Sequence, residues 1–173
     1  MERILLSQEQ LEEVVAEIAA EIAGDFAGAA PLQLLGLLKG CQPFLADLSR
    51  ALSHHNLPLA VDYLKAKSYV GTASSGEVEI TPLGEVSDLA LNNVIVVDDI
   101  FDTGLTLKQV VAHLKGLGAE RVKTCVLLRK EGCSKVAIEP DYVGAVIPNA
   151  FVVGYGLDCN EQYRELPFIK VLE

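Results

Sequence analysis

The chain is expected to be an α/β protein with a mostly parallel central sheet flanked by helices. Three observations carry this expectation. Leu32 to Leu38 and Val94 to Val97 are continuous apolar runs, which suit strands covered on both faces, as in parallel sheets. Leu107, Val110, Val111 and Leu114 follow the second run at helical spacing, and Val122 to Leu128 form another apolar strand beyond them. Strand, helix and strand in that register make a parallel pair with a right-handed crossover.

The elements read as follows. Ser7 with Gln10 forms a capping box, and Leu11, Val14, Val15, Ile18 and Ile22 then predict a helix ending near Gly24. Its acids, Glu12, Glu13, Glu17 and Glu21, fall mostly on the opposite, solvated face. Leu32 to Leu38 is a buried strand. Pro43 suits the first turn of the next helix, with Phe44, Leu45, Leu48 and Leu52 turned inward. Val61 to Tyr69 is another strand, and the small residues from Val70 to Gly76 make either a plain hairpin loop or a mobile lid. The helix after Val97 stops at Gly116 and Gly118. The tail holds Tyr142 to Ile147, a turn at Pro148-Asn149, Phe151 to Gly154 and a polar stretch from Asp158 to Arg164.

Composition narrows the function. At 173 residues, half of them hydrophobic, one domain with a sizeable core accounts for the chain. A net charge of −10 without a Lys/Arg cluster argues against nucleic acid as a partner, because that affinity comes mainly from neutralised phosphates. Cys41, Cys125, Cys133 and Cys159 show no CxxC spacing and read as reduced thiols of a cytoplasmic protein. No apolar run reaches the length of about 18 residues that a membrane helix needs, and the apolar run at the start is too short for a secretory signal.

The segment from Val94 to Leu107 is the most informative. Its strand runs into Asp98, Asp99 and Asp102, which would lie at the carboxyl end of the sheet, where open α/β folds bind ligands. Thr103, Gly104, Leu105 and Thr106 then form a small loop at a helix N-terminus, where hydroxyls and backbone N–H groups favour a phosphate. A strand ending in two acids also occurs in receiver-type signalling domains, but the added Asp-Thr-Gly-x-Thr points to a sugar-phosphate site.

The whole string resembles the signature of type I phosphoribosyltransferases. In that family two adjacent acids hold the ribose hydroxyls of phosphoribosyl pyrophosphate (PRPP), and the loop wraps its 5′-phosphate. Four further pieces, in the same order and at matching spacing, resemble the hypoxanthine-guanine branch. Leu37-Leu38-Lys39-Gly40 is similar to the loop that meets pyrophosphate, with a non-proline cis peptide implied at Leu38–Lys39. Lys67-Ser68-Tyr69 resembles the base of the loop that closes over the sugar, so Ser68 and Tyr69 are implied substrate contacts. Lys130 matches the purine-recognising Lys, and Phe151 with Val152 the aromatic base platform. Asp158 matches the metal-facing acid and Arg164 the pyrophosphate-contacting Arg. Each alone would read as an ordinary core or surface residue; their joint order reverses that. His54, His55 and His113 lie outside every matched piece and receive no catalytic role.

The resemblance implies the type I phosphoribosyltransferase fold over 1–173, with a core over about 25–145 and a small hood from the chain ends. The implied activity is Mg²⁺-dependent 6-oxopurine salvage: hypoxanthine or guanine with PRPP gives IMP or GMP and pyrophosphate. A homodimer or homotetramer is expected. Displacing pyrophosphate from the anomeric carbon passes through an oxocarbenium-like state while negative charge collects on the leaving group. Mg²⁺ neutralises that charge, with Asp98, Asp99 and Asp158 as implied metal partners. Asp102, implied to lie near purine N7, either takes the proton or only positions the base. Leu105 stands where many relatives carry Lys, Asp98-Asp99 where they carry Glu-Asp, and Asn149-Ala150 lacks a Lys found beside the platform in some. The alternative is a non-catalytic regulator of the same fold that binds PRPP or nucleotides.

Overall fold

The computed structural model describes residues 3–29, 31–68, 78–82 and 92–172. In chain order these form β1 (Arg3–Leu6), α1 (Gln8–Asp25), β2 (Leu32–Leu38), α2 (Gln42–Ser53), β3 (Leu59–Ser68), β4 (Val78–Pro82) and β5 (Asn93–Phe101). Then come α3 (Leu105–Gly116), β6 (Arg121–Lys130), β7 (Tyr142–Ile147), β8 (Val152–Val153) and β9 (Ile169–Val171).

The main sheet has six strands in the order β4-β3-β2-β5-β6-β7. β3, β2, β5, β6 and β7 pair in parallel, and β4 adds an antiparallel edge to β3. The apolar runs therefore mean what their pattern implied, because alternate residues face opposite layers. Leu34, Ile95, Val97, Cys125 and Leu127 pack with α1 and α2 in one core. Leu35, Leu37, Val94, Val96 and Val126 pack with Leu107, Val110 and Leu114 of α3 in the other. Each such buried aliphatic side chain contributes about 1.5–3 kcal/mol.

Local chemistry sets the element ends. Ser7 caps α1, its hydroxyl accepting from Gln10 N at 3.3 Å while Gln10 Oε1 accepts from Ser7 N at 2.9 Å, so two otherwise unpaired N–H groups are satisfied. Pro43 lies in the first turn of α2, and Phe44, Leu45, Leu48 and Leu52 are fully buried. The start of β7 is locked to β6 by Asp141, whose Oδ2 accepts from Thr124 N at 2.8 Å and Thr124 Oγ1 at 2.9 Å. Tyr142 donates to Asp25 Oδ2 at 2.6 Å, tying that strand to the end of α1.

A second, three-stranded antiparallel sheet, β1-β9-β8, joins the two ends of the chain. Arg3 pairs with Val171, and Val152 pairs with the same residue from the other side. This is the expected hood. β1, β4 and β9 are additions to the predicted elements, and β8 shortens the predicted Phe151–Gly154 segment to two residues. Gly154 instead enters a turn at φ +103°, where a Cβ would lie 2.0 Å from Phe168 O.

Candidate active site

β5 does not stop at the acids; it continues through Asp98 and Asp99 to Phe101, paired with β6 as far as Arg129. The strand thereby fixes the backbone of both carboxylates. Asp98 Oδ1 accepts from Asp99 N at 3.0 Å, and Asp99 Oδ1 accepts from Ile100 N at 2.9 Å. Burial pushes the Asp98 carboxyl well above the usual range, and the neighbouring Asp99 charge pushes it further. Burial also raises Asp99, against its hydrogen bonds with Asp98 and the backbone and the more distant Arg164 charge. Two acids held this way have an unmet need for a cation or for hydroxyl donors. Beneath them lies Cys41, a buried thiol raised by desolvation and then by the Asp98 and Asp99 charges, and so inert as a nucleophile.

The loop leading into α3 follows. Gly104 is the N-cap of α3 at φ +76°, with Phe101 and Val136 side chains 2.7 Å and 2.5 Å from where a Cβ would sit. Only glycine fits there. Its own position carries no side-chain cap, so the first turn of the helix presents N–H donors. Asp98, Asp102, Thr103, Gly104 and Thr106 line a polar cavity of about 90 Å³ at this helix end. Leu105 points outward, 41% exposed. Thr103 O accepts from Lys135 N at 2.9 Å, so the segment between β6 and β7 braces the loop.

On the other side of the carboxylates the chain crosses itself tightly. The Leu38–Lys39 peptide is cis. A Cβ on Gly40 would fall 1.7 Å from Asp99 Oδ2, and one on Gly156 would fall 2.0 Å from Gly40 O. The absence of side chains at these two positions brings the β2 loop, the β5 acids and the turn after β8 together. Arg164 Nη1 donates to Gly156 O at 2.7 Å, and Arg164 Nη2 lies 2.9 Å from Asp158 Oδ1. Lys39 Nζ is 3.0 Å from Glu161 Oε2.

Beside the cavity at the α3 N-terminus, Lys130 Nζ donates to Asp102 Oδ2 at 3.0 Å, with the Lys130 side chain only 12% exposed. Phe151 presents a half-exposed ring, and Val152 behind it is buried. The structure thus brings Lys39, Gly40, Asp98, Asp99, Asp102, Thr103, Gly104, Thr106, Lys130, Asp158 and Arg164 to the carboxyl end of the parallel strands and the loops beside it. Ser68 ends β3, while Tyr69 and the 70–76 loop lie outside the described residues. Among the described residues no three of His, Cys, Asp and Glu converge to cage a metal. Mg²⁺ does not require such a cage, since it keeps waters and shares phosphate oxygens.

Sequence reasoning missed Gly156, Glu161 and a Tyr155–Asp47 hydrogen bond that ties the turn to α2. Gly154 and Gly156, two residues apart, signalled such a turn; Glu161 had no signal, being an exposed acid in a polar stretch. A larger cleft of about 480 Å³ between α1 and α2 has Tyr155 in its lining and shares no residue with the site. No described helix is long and apolar enough to cross a membrane.

Comparison with known proteins agrees with this geometry. The family model for the phosphoribosyl transferase domain matches residues 3–160. The chain is 39% identical over 178 residues to the hypoxanthine-guanine phosphoribosyltransferase of Bacillus subtilis, covering all of this chain and 94% of that one. It is 40% identical to the bifunctional protein TilS/HprT of Listeria innocua, of whose length it spans 26%. Among solved structures, the Trypanosoma cruzi hypoxanthine phosphoribosyltransferase in complex with the product IMP superposes with a TM-score of 0.89 at 39% identity, over 99% of this chain and 94% of that one. The chain belongs to the phosphoribosyltransferase family, in its hypoxanthine-guanine branch.

Proposed function

We propose that the protein transfers the phosphoribosyl group of PRPP to hypoxanthine or guanine, giving IMP or GMP and pyrophosphate. The observation that carries this reading is the convergence of these groups on the Asp98–Asp99 pair. Gly40, next to Lys39, packs on Asp99, and Gly156, whose carbonyl accepts from Arg164, packs on Gly40; Asp98 and Asp102 line the cavity at the α3 N-terminus, and Lys130 pairs with Asp102. Leaving group, ribose, 5′-phosphate and base each meet groups of the right polarity.

In the proposed reaction the bond from the anomeric carbon to pyrophosphate breaks as the bond to a purine nitrogen forms. Asp98 and Asp99 hold the ribose hydroxyls, and Thr103, Gly104, Leu105 and Thr106 hold the 5′-phosphate through N–H and hydroxyl donors. Lys39, Gly40 and Arg164 receive the charge that develops on the leaving group. Mg²⁺, when bound, supplies further neutralisation of the pyrophosphate, with Asp98, Asp99 and Asp158 as the protein groups to hold it. Lys130 donates to the purine O6, the Phe151 ring stacks on the base beside Val152, and Asp102 accepts from N7. Ser68 and Tyr69 are assigned to the sugar side on family grounds. The working unit is proposed as one domain, cytoplasmic, assembled as a homodimer or homotetramer.

Incubation with PRPP, Mg²⁺ and a panel of bases tests the reading. Nucleotide formation from hypoxanthine and guanine is expected. PRPP binding without turnover on any base would favour the non-catalytic regulator; no PRPP binding at all would overturn the site.

A further inference from the structure

Glu161 places a carboxylate where the proposed reaction requires a different anion. Its Oε2 lies 3.0 Å from Lys39 Nζ and its Oε1 3.4 Å from Arg164 Nη2. One acid therefore bridges both cations assigned to pyrophosphate, and the two reach it from segments 122 residues apart in sequence for Lys39. The local backbone supports the placement. Asn160 and Glu161 adopt left-handed conformations at φ +53° and +64°, uncommon for residues with a Cβ, and Glu161 N donates to Asp158 Oδ2 at 2.9 Å. The hydrogen bonds from Lys39 and then Arg164, with their charges, hold the Glu161 carboxyl below its usual range.

The contacts are weak. Lys39 and Glu161 side chains are each 64% exposed, where ion pairs contribute little, and the Arg164 contact is long at 3.4 Å. Arg164 also keeps its buried Nε without a hydrogen-bond partner among the described residues, a donor that the Glu161 contact leaves unused.

We infer that Glu161 is a built-in competitor for the pyrophosphate anion, pairing with Lys39 and Arg164 in the free protein and yielding them when the diphosphate of PRPP or pyrophosphate itself binds. The inference rests on the assignment of those two cations to pyrophosphate. Its functional effect is on affinity and release. A carboxylate that opposes substrate and product alike raises the KM for PRPP and the Kd of pyrophosphate together, so the product leaves faster.

The test is calorimetry of pyrophosphate with Mg²⁺ on the full chain, comparing the parent with Glu161→Gln and Glu161→Ala. Both changes keep the backbone N–H that Asp158 accepts from, and melting curves check the fold. Removal of the competing charge is expected to tighten pyrophosphate by about twofold to fivefold, lower the KM for PRPP in parallel, and leave IMP affinity unchanged. A structural role would instead weaken binding. Unchanged or weaker pyrophosphate binding in both variants overturns the inference while the function stands. A parent that binds neither pyrophosphate nor PRPP overturns the proposed function and this inference with it.

Discussion

Gly40→Ala is the most direct probe of how the site is assembled. An ideal Cβ at Gly40 falls 1.7 Å from Asp99 Oδ2 and 2.6 Å from Asp99 Cγ, where real Cβ atoms essentially never approach closer than 3.0 Å. One partner must move by about 1 Å or more. Gly40 has little room to retreat, because Gly156 already packs against its carbonyl. Asp99 belongs to a strand paired on both sides, and its Oδ1 is tied to Ile100 N at 2.9 Å. The carboxylate is therefore the group that turns away, and the proposed ribose contact goes with it. A misplacement of about 1 Å in a reacting constellation costs about 10²-fold, equivalent to about 2.7 kcal/mol. We predict a fall of that size in kcat/KM for PRPP. Because Asp99 is assigned to hold the sugar in the ground state as well, most of the loss is expected in KM. Overpacking of this kind costs about 1–3 kcal/mol, which for a domain of this size lowers Tm by about 2–12 °C and leaves the protein folded at 25 °C. Steady-state kinetics with PRPP varied, beside circular dichroism, decides the matter. A folded variant with kcat/KM within about threefold of the parent would refute the reasoning.

Three other perturbations separate the remaining roles. Asp102→Asn is expected to lower kcat by about 10²-fold or more with little change in PRPP affinity; a kcat within about threefold of the parent would leave Asp102 as the structural partner of Lys130 alone. Lys130→Ala should weaken oxopurine use and spare PRPP binding, and in the parent adenine should react about 10⁴-fold less efficiently, since a buried donor would face an amino group. Competition kinetics check both, and adenine turnover within about tenfold of hypoxanthine would mean the base pocket is wrongly assigned. Asp141→Ala, remote from the chemistry, removes the acceptor for Thr124 N and Oγ1 and the ion pair to Lys123 at 2.8 Å. A loss of about 1–3 kcal/mol in urea unfolding is expected with turnover retained; a loss below about 0.5 kcal/mol would show that β7 docks without this acid.

The sequence by itself determined what local pattern and motif chemistry can encode. Capping at Ser7, the inward face of α2 and the two-faced burial of β2 and β5 follow from periodicity, since side-chain direction repeats every 3.6 or 2 residues whatever the chain does later. The Asp98 to Thr106 segment is likewise legible, because the acids and the loop that opens α3 are neighbours along the chain. The hood was not legible from pattern. β1 and β9 are four- and three-residue strands held by pairing with each other and, for β9, with β8, and neither carries enough alternation to announce itself. The same holds for the groups that complete the site. Asp102 and Lys130 lie on segments joined only because β6 pairs alongside β5, and Gly40 meets both Asp99 and Gly156 only because the loop after β2, strand β5 and the turn after β8 converge. The position of Glu161 between Lys39 and Arg164 depends on that convergence and on two left-handed residues, a long-range arrangement to which no local pattern in the chain corresponds.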